Sequence, residues 1–342
     1  MRYGCHINWS KERSAMLQMI IQTIKKMKII TALFILPIIF VSGCSSNYAA
    51  NSKETALFTS HDAEARTSNT PMLMASAAMP QASGVTVLSG NNTVIDASNT
   101  QEGYVMVKYT GSPGAKCKAV VVGPSGLKYT YNLNNGSFDT FPLSDGDGSY
   151  TIGVYLNAGG NKYSTVYSTG VNVVLKNQFV PFLLPNQYVN YKPESQVVKT
   201  AVTLTKDTSD ELEKIKAIYT YVVNGFTYDV NRAATVQSGY LPELDSVLAA
   251  KKGICFDYAA VMTAMLRSQN IPTKMVVGYT GDLYHAWIST YTSKSGWIEG
   301  VIFFDGQTWK LMDPTFASSS NSSTKIMNYI GDSSNYQAKY LY

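Results

Sequence analysis

Cys255 is the residue in this 342-residue chain whose type and surroundings best suit nucleophilic chemistry. It follows Gly253-Ile254 and opens a run in which Tyr258, Val261, Met262, Met265 and Leu266 recur at helical spacing. Gln269-Asn270 before Ile271-Pro272 stops that run. A thiol at a helix N-terminus sits at the positive end of the peptide dipoles, among N–H groups that lack helical partners. Such a setting favours the thiolate, the form that attacks carbonyl carbon. The same N–H groups can hold an oxyanion. Most lone cysteines are nonetheless inert core residues, so position does not decide the matter.

Two further residues answer to Cys255. His285 is the only histidine in the region expected to fold; His6 and His61 lie before it. It leads an apolar strand, 285–291, that follows a buried strand, Thr273–Tyr279, and a Gly281-Asp282 turn. Asp313 closes a third strand, Gln307–Met312, and is followed by Pro314. A strand-end carboxylate can accept the second imidazole N–H and fix its tautomer. A strand histidine is usually structural, and Asp-Pro is a common turn starter. The order Cys, His, Asp on helix, strand and strand end carries more weight than any member does.

Five ordered blocks make a family resemblance. They are Gly253-Ile254-Cys255-Phe256-Asp257-Tyr258-Ala259, Leu266-Arg267-Ser268-Gln269-Asn270-Ile271-Pro272, Val276-Val277-Gly278-Tyr279, His285-Ala286-Trp287 and Leu311-Met312-Asp313-Pro314-Thr315. Over roughly 195–320 the chain resembles a transglutaminase-like domain. The resemblance implies a papain-like α+β core. It implies Cys255 as nucleophile, His285 as general base and acid, and Asp313 as the orienter of the histidine. Tyr228, in Phe226-Thr227-Tyr228-Asp229, matches a place where relatives set an oxyanion-hole or packing side chain. Trp287 is expected to pack against the site, and Asp257 receives no role. No run of acids resembles the calcium sites of animal transglutaminases. No cofactor and no metal is expected.

The elements that must position the site begin near residue 177. Thr208-Ser209-Asp210-Glu211 reads as a capping box, and Leu212, Ile215, Ile218, Tyr219 and Val222 follow at helical spacing. A second helix is expected over Glu243–Lys251, stopped by Gly253. Residues 84–176 differ in character. Alternating runs at 103–110, 116–122, 127–133, 138–143, 149–157, 161–168 and 170–175 are separated by Gly-, Pro- and Asn-rich turns. That pattern predicts a β-sandwich, with Cys117 buried in a strand. Asp-Gly-Asp-Gly-Ser-Tyr-Thr-Ile at 145–152 resembles strand entries in immunoglobulin-like bacterial modules, which implies an immunoglobulin-like sandwich with Asp145-Gly146-Asp147-Gly148 a plain turn.

Upstream, a cationic start at Lys28 precedes the apolar run Ile29–Val41, which is a secretory signal layout. Val41-Ser42-Gly43-Cys44 resembles the lipobox of bacterial lipoproteins, which implies lipidation of Cys44 and a palmitoylated, membrane-anchored chain. Met27 is the better-placed start of such a signal. Residues 45–83 are Ser-, Ala-, Asn- and Thr-rich and read as a tether, with a reach of roughly 35 Å as a flexible coil. Thus 1–44 is expected to be signal, 45–83 linker, 84–176 sandwich and 177–342 the transglutaminase-like domain.

The formal charge of +5 belongs to the leader; beyond residue 44 there are 22 basic and 22 acidic residues. The remainder has no electrostatic reason to seek nucleic acid. The expectation is an extracytoplasmic, membrane-anchored cysteine enzyme that acts on protein or peptide amides, cell-wall peptides among them, through an acyl-enzyme. Water as acceptor gives a peptidase or amidase; an amine gives a cross-linker. The rivals are a non-catalytic surface protein that binds through the sandwich, and a redox or metal role for Cys255 and His285. The scarcity of further Cys or His counts against a metal site.

Overall fold

Two four-stranded antiparallel sheets come first in the chain. One has the order β1-β2-β3-β6, from Val87–Gly90, Thr93–Asp96, Tyr104–Tyr109 and Asp139–Pro142. The other has the order β5-β4-β7-β8, from Lys128–Leu133, Cys117–Val122, Gly148–Asn157 and Tyr163–Val173. The computed structural model describes residues 79–298, except 113 and 282, and residues 333–342. All of these belong to one compact unit, Met72–Tyr342. The expected signal segment, Cys44, most of the tether and Asp313 lie outside the described residues.

Alternation decides which side of each strand is buried. Val105, Val107, Ala119, Val121, Tyr131, Ile152 and Val154 are fully inside and share one apolar cluster. Two departures from the sequence reading stand out. The hairpin β1–β2 was not expected; Asn91 and Asn92 at its turn both adopt positive φ, which Asn tolerates better than most residues. The runs 161–168 and 170–175 form the single strand β8, because Gly170 stays in register opposite Thr151. In the Asp145–Gly148 turn the carboxylates serve protein donors. Asp145 accepts from the backbone N–H of Ser125 (2.9 Å), and Asp147 accepts from that of Leu175 (2.7 Å).

Five helices are described next. They are α1 (Gln196–Thr205), α2 (Glu211–Gly225), α3 (Val230–Thr235), α4 (Leu244–Ala250) and α5 (Cys255–Ser268). Asp210, one residue short of the expected capping box acid, caps α2 by accepting from the N–H groups of Leu212 and Glu213. α4 ends at Lys251, whose φ of 47° breaks the helix before Gly253 is reached. α1 and α3 were not expected.

The last sheet has the order β13-β12-β11-β14, all antiparallel, from Gly296–Ile298, Leu283–Thr292, Thr273–Thr280 and Tyr336–Leu341. α5 packs on β11 and β12, with α1, α2 and α4 against its other sides. It is buried nearly all round, from Asp257 to Arg267. Arg267 is wholly inside and donates to three backbone carbonyls, those of Thr273 (2.9 Å), Leu184 (2.6 Å) and Tyr342 (2.6 Å). It thereby ties α5, the 177–195 connector and the chain's last strand together. Burial pushes its guanidinium down to about 10, still charged at neutral pH.

The first sheets and the helical half share their core. On β5, Tyr129 meets Tyr340 and Tyr342, and Tyr131 meets Tyr342, with ring centroids 5.5 to 5.9 Å apart. Tyr188, from the connector, stacks edge-on against Tyr342 at 4.5 Å and donates its hydroxyl to Thr130 O at 3.4 Å. The side-chain amide of Gln187 closes the β5 edge by accepting from Asn132 N and donating to Asn132 O.

Candidate active site

Cys255 is the first residue of α5, with a half-buried free thiol. The turn that delivers it is built by two short strands. β9 (Thr227–Tyr228) pairs in parallel with β10 (Lys252–Gly253), matching Gly253 to Tyr228. Asp229 N donates to Gly253 O at 2.8 Å. Tyr228 is therefore fixed beside the residues that precede Cys255, half-buried against the core. Phe256 meets Tyr188 edge-on at 5.6 Å. Its neighbour Cys255 thus stands next to the aromatic seam between the two halves.

Asp257 is the feature that the sequence reading passed over. It is fully buried, and its carboxylate accepts from the Ile254 N–H at 2.8 Å. That is one half of a capping box; Ile254 has no oxygen to supply the other half. Tyr240 donates its hydroxyl to the same carboxylate at 2.6 Å, and Arg232 pairs with it at 3.5 Å. The available signal was an acid three residues after a helix-breaking Gly253-Ile254, hidden because the capping position is apolar.

α5 packs against β12, the strand that carries Tyr284 and His285. Burial pushes the Tyr284 phenol up, with Tyr340, Tyr279 and the Cys255 thiol adding to the effect. Tyr284 is 54% exposed and meets Tyr279 edge-on at 5.4 Å. Along β12 the side chains alternate. Tyr284, Ala286 and Ile288 share a face with Val277 and Met275, the row that joins the α5 core. His285 and Trp287 take the other face, opposite Gly278 and Val276. The His285 ring is 3% exposed, stacked on Trp287 at 6.2 Å and 6.5 Å from Tyr336.

The structure thus brings Cys255 and Tyr228 to one turn, at the start of the helix that packs on β12. His285 follows Tyr284 in the chain, but its ring takes the face of the sheet away from the row that joins the α5 core, in a layer with Trp287 and Tyr336. Asp313 lies outside the described residues. Cys117, on β4, is buried, and burial pushes its thiol up.

Residues 198–300 match the model of the transglutaminase-like superfamily. That span contains Cys255 and His285 and ends before Asp313. This part of the chain is a transglutaminase-like domain of mixed α and β structure. Over 118 residues the chain is 30% identical to the uncharacterized protein YebA of Bacillus subtilis (strain 168), covering 29% of this chain. The match spans 16% of the length of YebA. Among solved structures, a Cytophaga hutchinsonii protein provisionally named as a cysteine protease superposes with a TM-score of 0.36 at 16% identity, covering 75% of this chain and 74% of that one. Red sea bream transglutaminase superposes with a TM-score of 0.25 at 16% identity, covering 62% of this chain and 48% of that one.

Proposed function

We propose that this chain is an extracytoplasmic, lipid-anchored cysteine enzyme that acts on protein or peptide amides through an acyl-enzyme. The observation that carries this reading is the placement of Cys255, half-buried at the first position of a helix buried from Asp257 to Arg267, in a transglutaminase-like domain. The Cys255 thiolate adds to an amide carbonyl, and N–H groups at the start of α5 take up the developing oxyanion charge. The C–N bond then breaks, the amine leaves with a proton from His285, and a thioester on Cys255 remains. Water or a second amine resolves the thioester. Asp313 orients His285, and Tyr228 supplies either a further donor to the oxyanion or a packing wall.

The finer domain reading belongs here as well. Residues 84–176 are read as an immunoglobulin-like sandwich. In support, the Tyr150 hydroxyl, near the start of β7, donates to Gly146 O at 2.8 Å and accepts from Asp145 N at 2.9 Å. These bonds resemble the tyrosine corner of such sandwiches. Lipidation at Cys44 rests on Val41-Ser42-Gly43-Cys44 after the apolar run 29–41. Cys44→Ala should release the protein from membranes, and unchanged retention overturns the anchor.

The deciding experiment mixes the protein with a glutamine-containing peptide and a primary amine and weighs the products. Hydrolysis and amine incorporation give different masses, so the acceptor is read directly. Conversion by the wild type and none by Cys255→Ala or His285→Ala is expected. Conversion that survives Cys255→Ala sinks the nucleophile; conversion that survives His285→Ala removes the histidine from the chemistry.

A further inference from the structure

Residues 230–240 form a flap with no buried residue, made of α3 and the loop after it. A segment that buries so little gains little from apolar packing. Its attachments are polar and few. Asp229 caps α3 by accepting from Arg232 N and pairs with Lys252 at 3.4 Å. Gly239 O accepts from the Asn132 side chain at 3.4 Å. The remaining attachments converge on Asp257. Tyr240 donates to it, Arg232 pairs with it, and Arg232 also donates to the Tyr240 hydroxyl at 3.0 Å. The Ile254 N–H, one residue before the thiol, donates to the same carboxylate oxygen that Arg232 pairs with, Oδ2. Gly253 makes room for it: a Cβ there would stand 2.6 Å from the Asp257 Cβ.

We propose that Asp257 is a positioning residue, which fixes the Ile254–Cys255 turn and is itself held charge-balanced by Arg232 and Tyr240 from the flap. This rests on the reading of Cys255 as nucleophile and extends it to how the thiol is aimed. A carboxylate buried two residues from a thiol would oppose formation of the thiolate. Arg232 offsets that cost, and the offset is present only while the flap is latched. The charged and titratable groups around the turn are Asp229, Arg232 and Tyr240 on the flap side, Tyr228 on β9, Lys252 on β10, Tyr188 from the connector and Tyr284 on β12.

The test uses the full chain and follows alkylation of Cys255 by iodoacetamide across neutral pH, read by peptide mass spectrometry, alongside thermal unfolding. Arg232→Gln should move the midpoint of the Cys255 profile upward and Asp257→Asn should move it downward, each by at least about half a pH unit. Arg232→Lys should restore the wild-type midpoint. Tyr240→Phe should lower kcat several-fold with KM unchanged. A merely structural role predicts lower melting temperatures with no opposite shifts, and that result overturns the proposal. Should Asp257→Asn fail to fold, the contrast between Arg232→Gln and Arg232→Lys decides. Alkylation needs no turnover, so an inactive wild type would overturn the proposed function and leave this readout intact.

Discussion

Gly278 stands directly across from His285 in the β11–β12 ladder. A Cβ on Gly278 would collide with the backbone carbonyl of Gln337 on β14 and come within 2.9 Å of the Trp287 ring. The glycine is required by close approach, since a backbone atom cannot rotate away as a side chain can.

Gly278→Ala is therefore expected to push β14 off β11 and lift Trp287 from its stack with His285. The cost should reach about 2 kcal/mol or more, as for overpacked cores. Denaturant titration measures it. Wild-type stability in this variant would show that β14 does not hold its place as described.

Arg267→Met should cost on the order of 3–5 kcal/mol, since two buried carbonyls, those of Thr273 and Tyr342, and the part-buried Leu184 carbonyl lose their donor together. Arg267→Lys should recover only part of this, because an ammonium lacks the planar fork that reaches all three. Urea unfolding of the two variants checks the order; a Lys variant as stable as the wild type contradicts it.

Alkali should unfold the protein through its tyrosine seam. Burial pushes Tyr188 up to about 12, and Tyr131 and Tyr342 move in the same direction. In the unfolded chain these phenols ionise near the ordinary 10, so above that pH the unfolded state binds fewer protons than the native one. Stability is thus intact below about pH 10 and falls as pH rises toward 12, by up to about 3 kcal/mol for Tyr188. Urea midpoints measured against pH should bend downward there, and less so in Tyr188→Phe. A profile flat through pH 11 would contradict the seam.

A thiol probe at neutral pH should label Cys255 well ahead of Cys117. Cys117 is buried on β4 with its thiol pushed up by desolvation, and its Sγ contacts Ala115 O at 3.5 Å. Equal labelling of the two in the folded protein counts against an accessible, activated Cys255.

The site's helix was legible because its signals are local: Gly253, the apolar period after Cys255 and the Ile271-Pro272 stop. The strands β3 to β7 were legible through alternation and turn residues. α1 was not, because six of its ten residues are β-branched Val or Thr. Its helix is set by burying Val197, Val198 and Ala201 in the shared core, and packing overrides that composition. β14 was missed for a different reason. Its partner β11 lies some sixty residues earlier, and no local pattern announces a pairing at that range. Asp257 was visible as a residue but not as a centre. Two of its three partners, Arg232 and Tyr240, come from a segment with no buried residue and no apolar period to mark it.

The tyrosine seam bears on how such a gene can be recombined. Sequence character changes sharply near residue 177, which invites a cut there. Tyr129 and Tyr131 would then lose Tyr188, Tyr340 and Tyr342, and each fragment would present a raw aromatic face to water. The border visible in the sequence is thus no place to trade parts: the sheets and the cysteine helix are inherited together or fail together.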